Sequence, residues 1–206
     1  MPIPIMIPIV IALVVTAVAG GGFALTKILS RAAGKRLAIV GHTSAGKTTL
    51  FKFLSTGTIP EKHFETKKPE HFDGDVKLAD LKLKIELTDM PGSKDAWATW
   101  RTECEQADRA CFLVAHDKLV NRYSEVERQA RQVGSWNLKT PVSLIVTFRD
   151  LVPDLSDTEI KEGEEARGIK RALNASSVHV VDLTDEGSRH GFGVDLLTEL
   201  AGGAAK

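Results

Sequence analysis

The chain has 206 residues, with 27 Lys and Arg balanced by 27 Asp and Glu for a formal net charge of zero. That length holds one α/β domain with an appendage and excludes two full domains. The balance leaves no basic excess of the kind a phosphate backbone selects, so no direct contact with nucleic acid is expected.

The first element is apolar throughout. No charged side chain occurs from Met1 to Thr26, and Ile3 to Leu25 reads IPIMIPIVIALVVTAVAGGGFAL. At about 1.5 Å per residue such a helix crosses the ~30 Å hydrocarbon layer of a bilayer. Pro2, Pro4 and Pro8 crowd its start, so regular helix is expected from near Pro8, and Gly20 to Gly22 can kink its end. Ala17-Val18-Ala19 formally offers a signal-peptide cleavage site, but the basic stretch that precedes the apolar run of a signal peptide is missing. A buried core helix rarely stays uncharged for so long. The expectation is a single-pass transmembrane anchor over residues 1–27, with the lipid bilayer as its partner. Lys27, Arg31, Lys35 and Arg36 follow, giving a basic juxtamembrane linker at 28–35. Positive charge on that side places the remaining domain, 36–206, in the cytoplasm.

Residues 36–40, RLAIV, predict a short strand that runs into Gly41-His42-Thr43-Ser44-Ala45-Gly46-Lys47-Thr48. This fits GxxxxGK[ST] without a mismatch, and the apolar residues Leu50, Phe51, Phe53 and Leu54 predict the helix that should follow, near 47–55. Glycines at 41 and 46 let the backbone curl so that its N–H groups point at phosphate oxygens, aided by the helix N-terminus. Thr43, Ser44, Ala45, Gly46, Lys47, Thr48 and Thr49 are thus expected to hold a nucleotide's phosphates. Lys47 would place an ammonium between the β- and γ-phosphates, and the Thr48 hydroxyl would be a ligand of Mg²⁺.

The stretch 81–89, LKLKIELTD, alternates apolar and polar residues. With a strand at 75–79 and a turn at Asp80 it predicts an antiparallel hairpin, ending in Asp89-Met90-Pro91-Gly92, a DxxG motif. Further strands are predicted at 109–115, 142–148 and 177–182, and helices near 93–104, 118–133, 157–173 and 193–201. Glu125, Glu127, Arg128 and Arg131 read as a charged outer helix face. Trp97, Trp100 and Trp136 read as packing residues. Cys104 and Cys111 match no CxxC or zinc spacing, so no disulfide is expected and a reduced compartment fits. The fold class is α/β: a mostly parallel six-stranded sheet flanked by helices, binding nucleotide at the strand C-termini, preceded by one transmembrane helix.

With these motifs in this order the chain resembles a small GTPase of the Ras/Arf class. It is similar to Arf proteins, whose loop GLDAAGKTT is close to GHTSAGKTTL here, and to the β subunit of the signal-recognition-particle receptor, which pairs such a domain with a membrane helix. A switch I Thr follows the P-loop Thr by eighteen residues in the family, which is Thr66 here, and Trp100-Arg101 sit at the Arf spacing after Asp89.

The resemblance implies GTP/GDP and Mg²⁺ as ligands, with Thr48, Thr66 and Asp89 around the metal and the Gly92 N–H on the γ-phosphate. Thr147-Phe148-Arg149-Asp150 stands where the family has NKxD. Asp150 would accept hydrogen bonds from guanine, Thr147 replaces Asn with a shorter reach, and Phe148 would stack on the base in place of a Lys stem. In Asp182-Leu183-Thr184, the backbone N–H of Leu183 would meet the guanine carbonyl. Ser93 occupies the place of the water-positioning Gln and is too short for that work, so hydrolysis should be slow. His42 and a partner's arginine are the candidate rescuers, leaving Ser93 and His42 as the catalytic candidates. The expected function is a slow GTP/GDP switch at a membrane that binds a protein effector or receptor through its switch regions. The alternatives are an adaptor with permanently bound nucleotide and, last, an ATPase or kinase.

Overall fold

Alternation along the strands becomes, in the fold, two faces of one sheet. The computed structural model of the protein describes residues 30–59, 69–78, 81–90 and 97–202. In chain order these form β1 (Lys35–Gly41), α1 (Lys47–Thr56), β2 (Glu70–Leu78), β3 (Leu81–Asp89), α2 (Trp97–Gln106), β4 (Arg109–Ala115) and α3 (His116–Asn121). Then come α4 (Tyr123–Gly134), β5 (Val142–Thr147), a 3-10 turn (Arg149–Leu151), α5 (Asp157–Glu162), α6 (Glu164–Leu173), β6 (Ser177–Val180) and α7 (Glu186–Leu200). The sheet order is β2-β3-β1-β4-β5-β6. Only β2 and β3 pair antiparallel, from Glu70↔Asp89 to Leu78↔Leu81, so the expected hairpin edge and parallel interior are both present.

Every residue of β4 and β5 is buried, as parallel strands covered on both faces require. Leu37, Ile39, Cys111, Leu113 and Ile145 enter one core, with Leu50 and Leu54 of α1 and Leu196 and Leu197 of α7. Their neighbours Ala38, Val40, Phe112, Val114, Leu144 and Val146 enter the other, with Trp100 of α2, Val126 and Ala130 of α4 and Ile169 of α6. Cys104 and Cys111 are free and lie in different cores, on opposite sides of the sheet. Burial pushes both thiols up, Cys104 to about 12.

Several boundaries differ from expectation for local reasons. β2 begins at Glu70, ahead of the predicted 75, because ladder pairing extends over polar residues that carry no alternation. The single helix expected at 118–133 is two, broken at Arg122 with φ −131 and ψ 33. That expected at 157–173 is also two, broken at Gly163 with φ −57 and ψ 150. The closing helix starts at Glu186 rather than 193, because the Asp185 carboxylate accepts the Ser188 N–H at 2.6 Å and caps it. Gly187, Gly191 and Gly193 hide that first stretch from a propensity reading. β6 stops at Val180, two residues short of its expected end.

Among the described residues no helix is long and apolar enough to cross a membrane. The anchor expected at 1–27 and the first residues of the helix expected at 93–104 lie outside the described residues. At the domain's entrance Ala32 is fully buried, Lys35 Nζ pairs with Asp108 Oδ1 at 2.6 Å, and Arg36 Nε with Glu86 Oε2 at 2.8 Å. Of the four basic residues that follow the apolar run, Lys35 and Arg36 are thus engaged by the domain itself.

At the same pole of the sheet lies a buried polar network that the sequence did not announce. Arg109 Nη1 meets Glu199 Oε2 at 2.9 Å and Ser143 Oγ at 2.7 Å, while His179 Nε2 meets Glu199 Oε1 at 3.0 Å. Ser143 and Ser177 donate to the same carboxylate at 2.9 and 3.1 Å. The network ties the end of α7 to β4, β5 and β6.

Candidate functional site

The loop after β1 starts at a position only glycine can fill. Gly41 has φ +133, and a Cβ there would stand 2.2 Å from the Leu113 carbonyl oxygen. The His42 N–H donates to that oxygen at 2.9 Å, so β4 holds the loop's first residue. The chain then curls through two left-handed residues, Ser44 at φ 58 and Gly46 at φ 77, into the first turn of α1. Thr43 and Ser44 are exposed at its mouth, Ala45 is buried, and Thr49 is half-buried in α1.

Lys47 is 6% exposed and its Nζ donates to the His42 carbonyl at 2.8 Å. Burial brings its ammonium down to about 8, against the attraction of Asp89. Thr48 Oγ1 donates to Asp89 Oδ2 at 2.8 Å, and Asp89 is fully buried at the end of β3. The parallel register Ile39↔Asp89 brings these distant residues together. A hydroxyl and a carboxylate in contact beside a phosphate loop are hard oxygen donors that suit Mg²⁺, which takes its remaining ligands from phosphate oxygens and water.

The segments expected to read the base reach the same loop. Thr147 Oγ1 donates to the Ala45 carbonyl at 3.0 Å and also lies 3.3 Å from the Val114 carbonyl, so the shorter hydroxyl does reach the P-loop backbone. Phe148 is left-handed, φ 60 and ψ 43, an unusual conformation for an aromatic residue, and it turns the chain so that Asp150 is exposed on the 3-10 turn. Arg149 Nε anchors this turn to Asp157 Oδ1 at 2.8 Å. Leu183 packs on the loop: a Cβ on Gly46 would stand 3.1 Å from Leu183 Cδ1. Beside it the Asp182 carboxylate accepts the Thr184 N–H at 2.7 Å and the Asp185 N–H at 3.1 Å, forming an Asx turn. Burial works to raise the Asp182 carboxyl, but the Thr184 and Asp185 hydrogen bonds and Arg149 hold it below the ordinary range. Thr66, Gly92 and Ser93 lie outside the described residues.

The His42 ring is turned behind the loop. It is 6% exposed, with Nδ1 2.8 Å from the Thr43 carbonyl oxygen and Nε2 3.7 Å from Glu125 Oε1. Both nitrogens face protein, so the ring braces the loop and is not presented to a water at the phosphates. Glu125, expected on an outer helix face, has its carboxylate 3.7 Å from the ring and is 38% exposed, and Glu127 and Arg131 of the same face form an i,i+4 pair at 2.7 Å.

A model of the family described as 50S ribosome-binding GTPase matches residues 36–148. The match runs from the second residue of β1 to Phe148, taking in the loop at 41–48 and Asp89. No curated protein matches the chain. The matched stretch is more than half of the 206 residues, and it coincides with the loop and strand ends assembled above. The chain belongs to the 50S ribosome-binding GTPase family, and its domain is a GTP-binding P-loop domain.

Proposed function

We propose that this GTP-binding protein is a slow GTP/GDP switch held at a membrane and recruiting a protein partner through its switch regions, in the manner of the Ras/Arf class. The observation that carries the reading is the Thr48–Asp89 contact of 2.8 Å, which joins the P-loop to the DxxG segment leading to α2. Bound Mg²⁺ would draw negative charge from the β- and γ-phosphates. Lys47 adds an ammonium, the loop N–H groups and the start of α1 orient the phosphates, and Asp89 ties their state to the chain beyond it. Ser93 in place of a longer amide makes hydrolysis slow.

The uncharged run through Thr26 supports an anchor of the kind found with the signal-recognition-particle receptor β subunit. Ala32, already buried in the core, leaves few residues between them, so the domain would stand close to the bilayer. The nucleotide site, at the other ends of the strands, would face the cytoplasm. The balanced charge supports a protein surface rather than RNA as the partner.

The test uses the full chain in liposomes. Replacing GDP by a non-hydrolysable GTP analogue should change tryptophan emission, since Trp97 and Trp100 lie on α2 just after the DxxG segment. Identical emission with both nucleotides bound would support the fixed-nucleotide adaptor, a reading that Ser93 and Phe148 also favour. A chain that fails to float with the vesicles would rule out the anchor.

Guanine selectivity has its own probe. Asp150→Ala removes the exposed carboxylate offered to the base, at a cost of about 3 kcal/mol or roughly 100-fold in GTP affinity. ATP affinity should stay unchanged in the same competition titration. Equal weakening of both would separate Asp150 from base recognition.

A further inference from the structure

We propose that His42 is a positioning residue that aims the Ser44 N–H at phosphate. The inference rests on reading the loop as a nucleotide site. A carbonyl oxygen only accepts, so the 2.8 Å contact with Thr43 O places the hydrogen on His42 Nδ1. The Thr43–Ser44 peptide is trans, and in a trans peptide the C=O and the following N–H point in opposite directions. Tethering the Thr43 carbonyl to the buried ring therefore turns the Ser44 N–H toward the open face of the loop, where Thr43 and Ser44 are exposed.

The tether also supports a costly backbone. Ser44 holds φ 58 without being glycine, a conformation that persists only when its surroundings impose it. Residue 42 supplies two such supports, its ring on the Thr43 carbonyl and its own carbonyl on Lys47 Nζ at 2.8 Å. With its hydrogen on Nδ1 the neutral ring only accepts at Nε2, so the Glu125 carboxylate 3.7 Å away does not tether it, and the ring is held by its burial and by the Thr43 carbonyl.

The experiment follows dissociation of fluorescent GDP from the Mg²⁺-loaded full chain. His42→Ala should release GDP about tenfold faster, the loss expected for one hydrogen bond to a phosphate-holding peptide. His42→Gln, whose amide can donate to the same carbonyl, should recover most of the wild-type rate. Wild-type release from His42→Ala, or no recovery in His42→Gln, would overturn the proposal. If His42→Ala does not fold, His42→Phe, which fills the space of the ring without a donor, takes its place, with about tenfold faster release expected and an unaltered rate counting against. A wild-type chain that binds no guanine nucleotide would overturn the nucleotide reading and this inference with it.

Discussion

Lys47→Ala is expected to abolish useful guanine-nucleotide binding, with a loss of about 1000-fold or more. The Lys47 side chain is 6% exposed and its amine lies on the His42 carbonyl, where it would meet phosphate in a dry setting. Charge-assisted bonds to two phosphate groups are worth about 4 kcal/mol there, hence the thousandfold. The fold itself should not suffer. Burial lowers this ammonium from 10.5 to about 8, so at neutral pH the folded state holds a charge it disfavours, by about 3 kcal/mol on the linkage relation. That cost is present below pH 8 and relieved as pH rises toward 10.5, so the alanine variant at pH 7 should melt no lower than the wild type.

The same shift sets a pH dependence of binding. Affinity should be flat below about pH 8 and fall above it, because the free protein has then lost the proton that the phosphates require, and binding takes one up. Isothermal titration of GDP in buffers of different ionisation heat measures both the affinity and the proton. A Lys47→Ala protein that binds GDP normally would mean that the loop does not work as described.

Glu199→Gln is expected to be the most destabilising conservative change in the domain, costing about 3–5 kcal/mol. It removes the charge that Arg109 and His179 face at 2.9 and 3.0 Å, and leaves the guanidinium buried without its counter-ion. The midpoint of thermal unfolding should fall by roughly 10 °C. Acid should act on the same group. Burial alone would raise the Glu199 carboxyl, but the hydrogen bond and charge of His179, the Ser143 hydroxyl and Arg109 outweigh it and hold it at about 2. A carboxyl depressed from 4.5 to about 2 contributes about 3 kcal/mol that is fully present above pH 4.5 and lost as pH falls toward 2. Chemical denaturation at stepwise pH should show the wild type losing this increment across that window. Glu199→Gln should lack this loss. Equal acid sensitivity in both proteins would assign the acid lability elsewhere.

How much of this was legible beforehand depended on whether a residue's role is local. The P-loop was legible because strand, glycine turn and helix are consecutive, and only glycine tolerates the approach of Gly41 to the Leu113 carbonyl. The hairpin of β2 and β3 was legible from its alternation, although its polar first half carries none. Thr147 and Leu183 could be placed at the site only through the resemblance, and the fold gives each a concrete tie, to the Ala45 carbonyl and to Gly46. What stayed hidden is what arises between elements distant in sequence. Arg109, Ser143, His179 and Glu199 form one network only once β4, β5, β6 and α7 are assembled. The helix break at Arg122 is likewise something an uninterrupted 3.6-residue pattern cannot show.

Everything proposed above depends on residues 41–48, Asp89 and 147–150 forming a guanine-nucleotide site. The most direct measurement identifies any nucleotide carried by the purified full chain in detergent, then titrates labelled GTP, GDP and ATP in the presence of Mg²⁺. Carried GDP or GTP is expected, with a preference for guanine over ATP of about 100-fold, the discrimination one base-reading carboxylate supplies. Tight ATP binding with no guanine preference would contradict it, and the roles assigned to Thr147, Phe148 and Asp150 would fall with it.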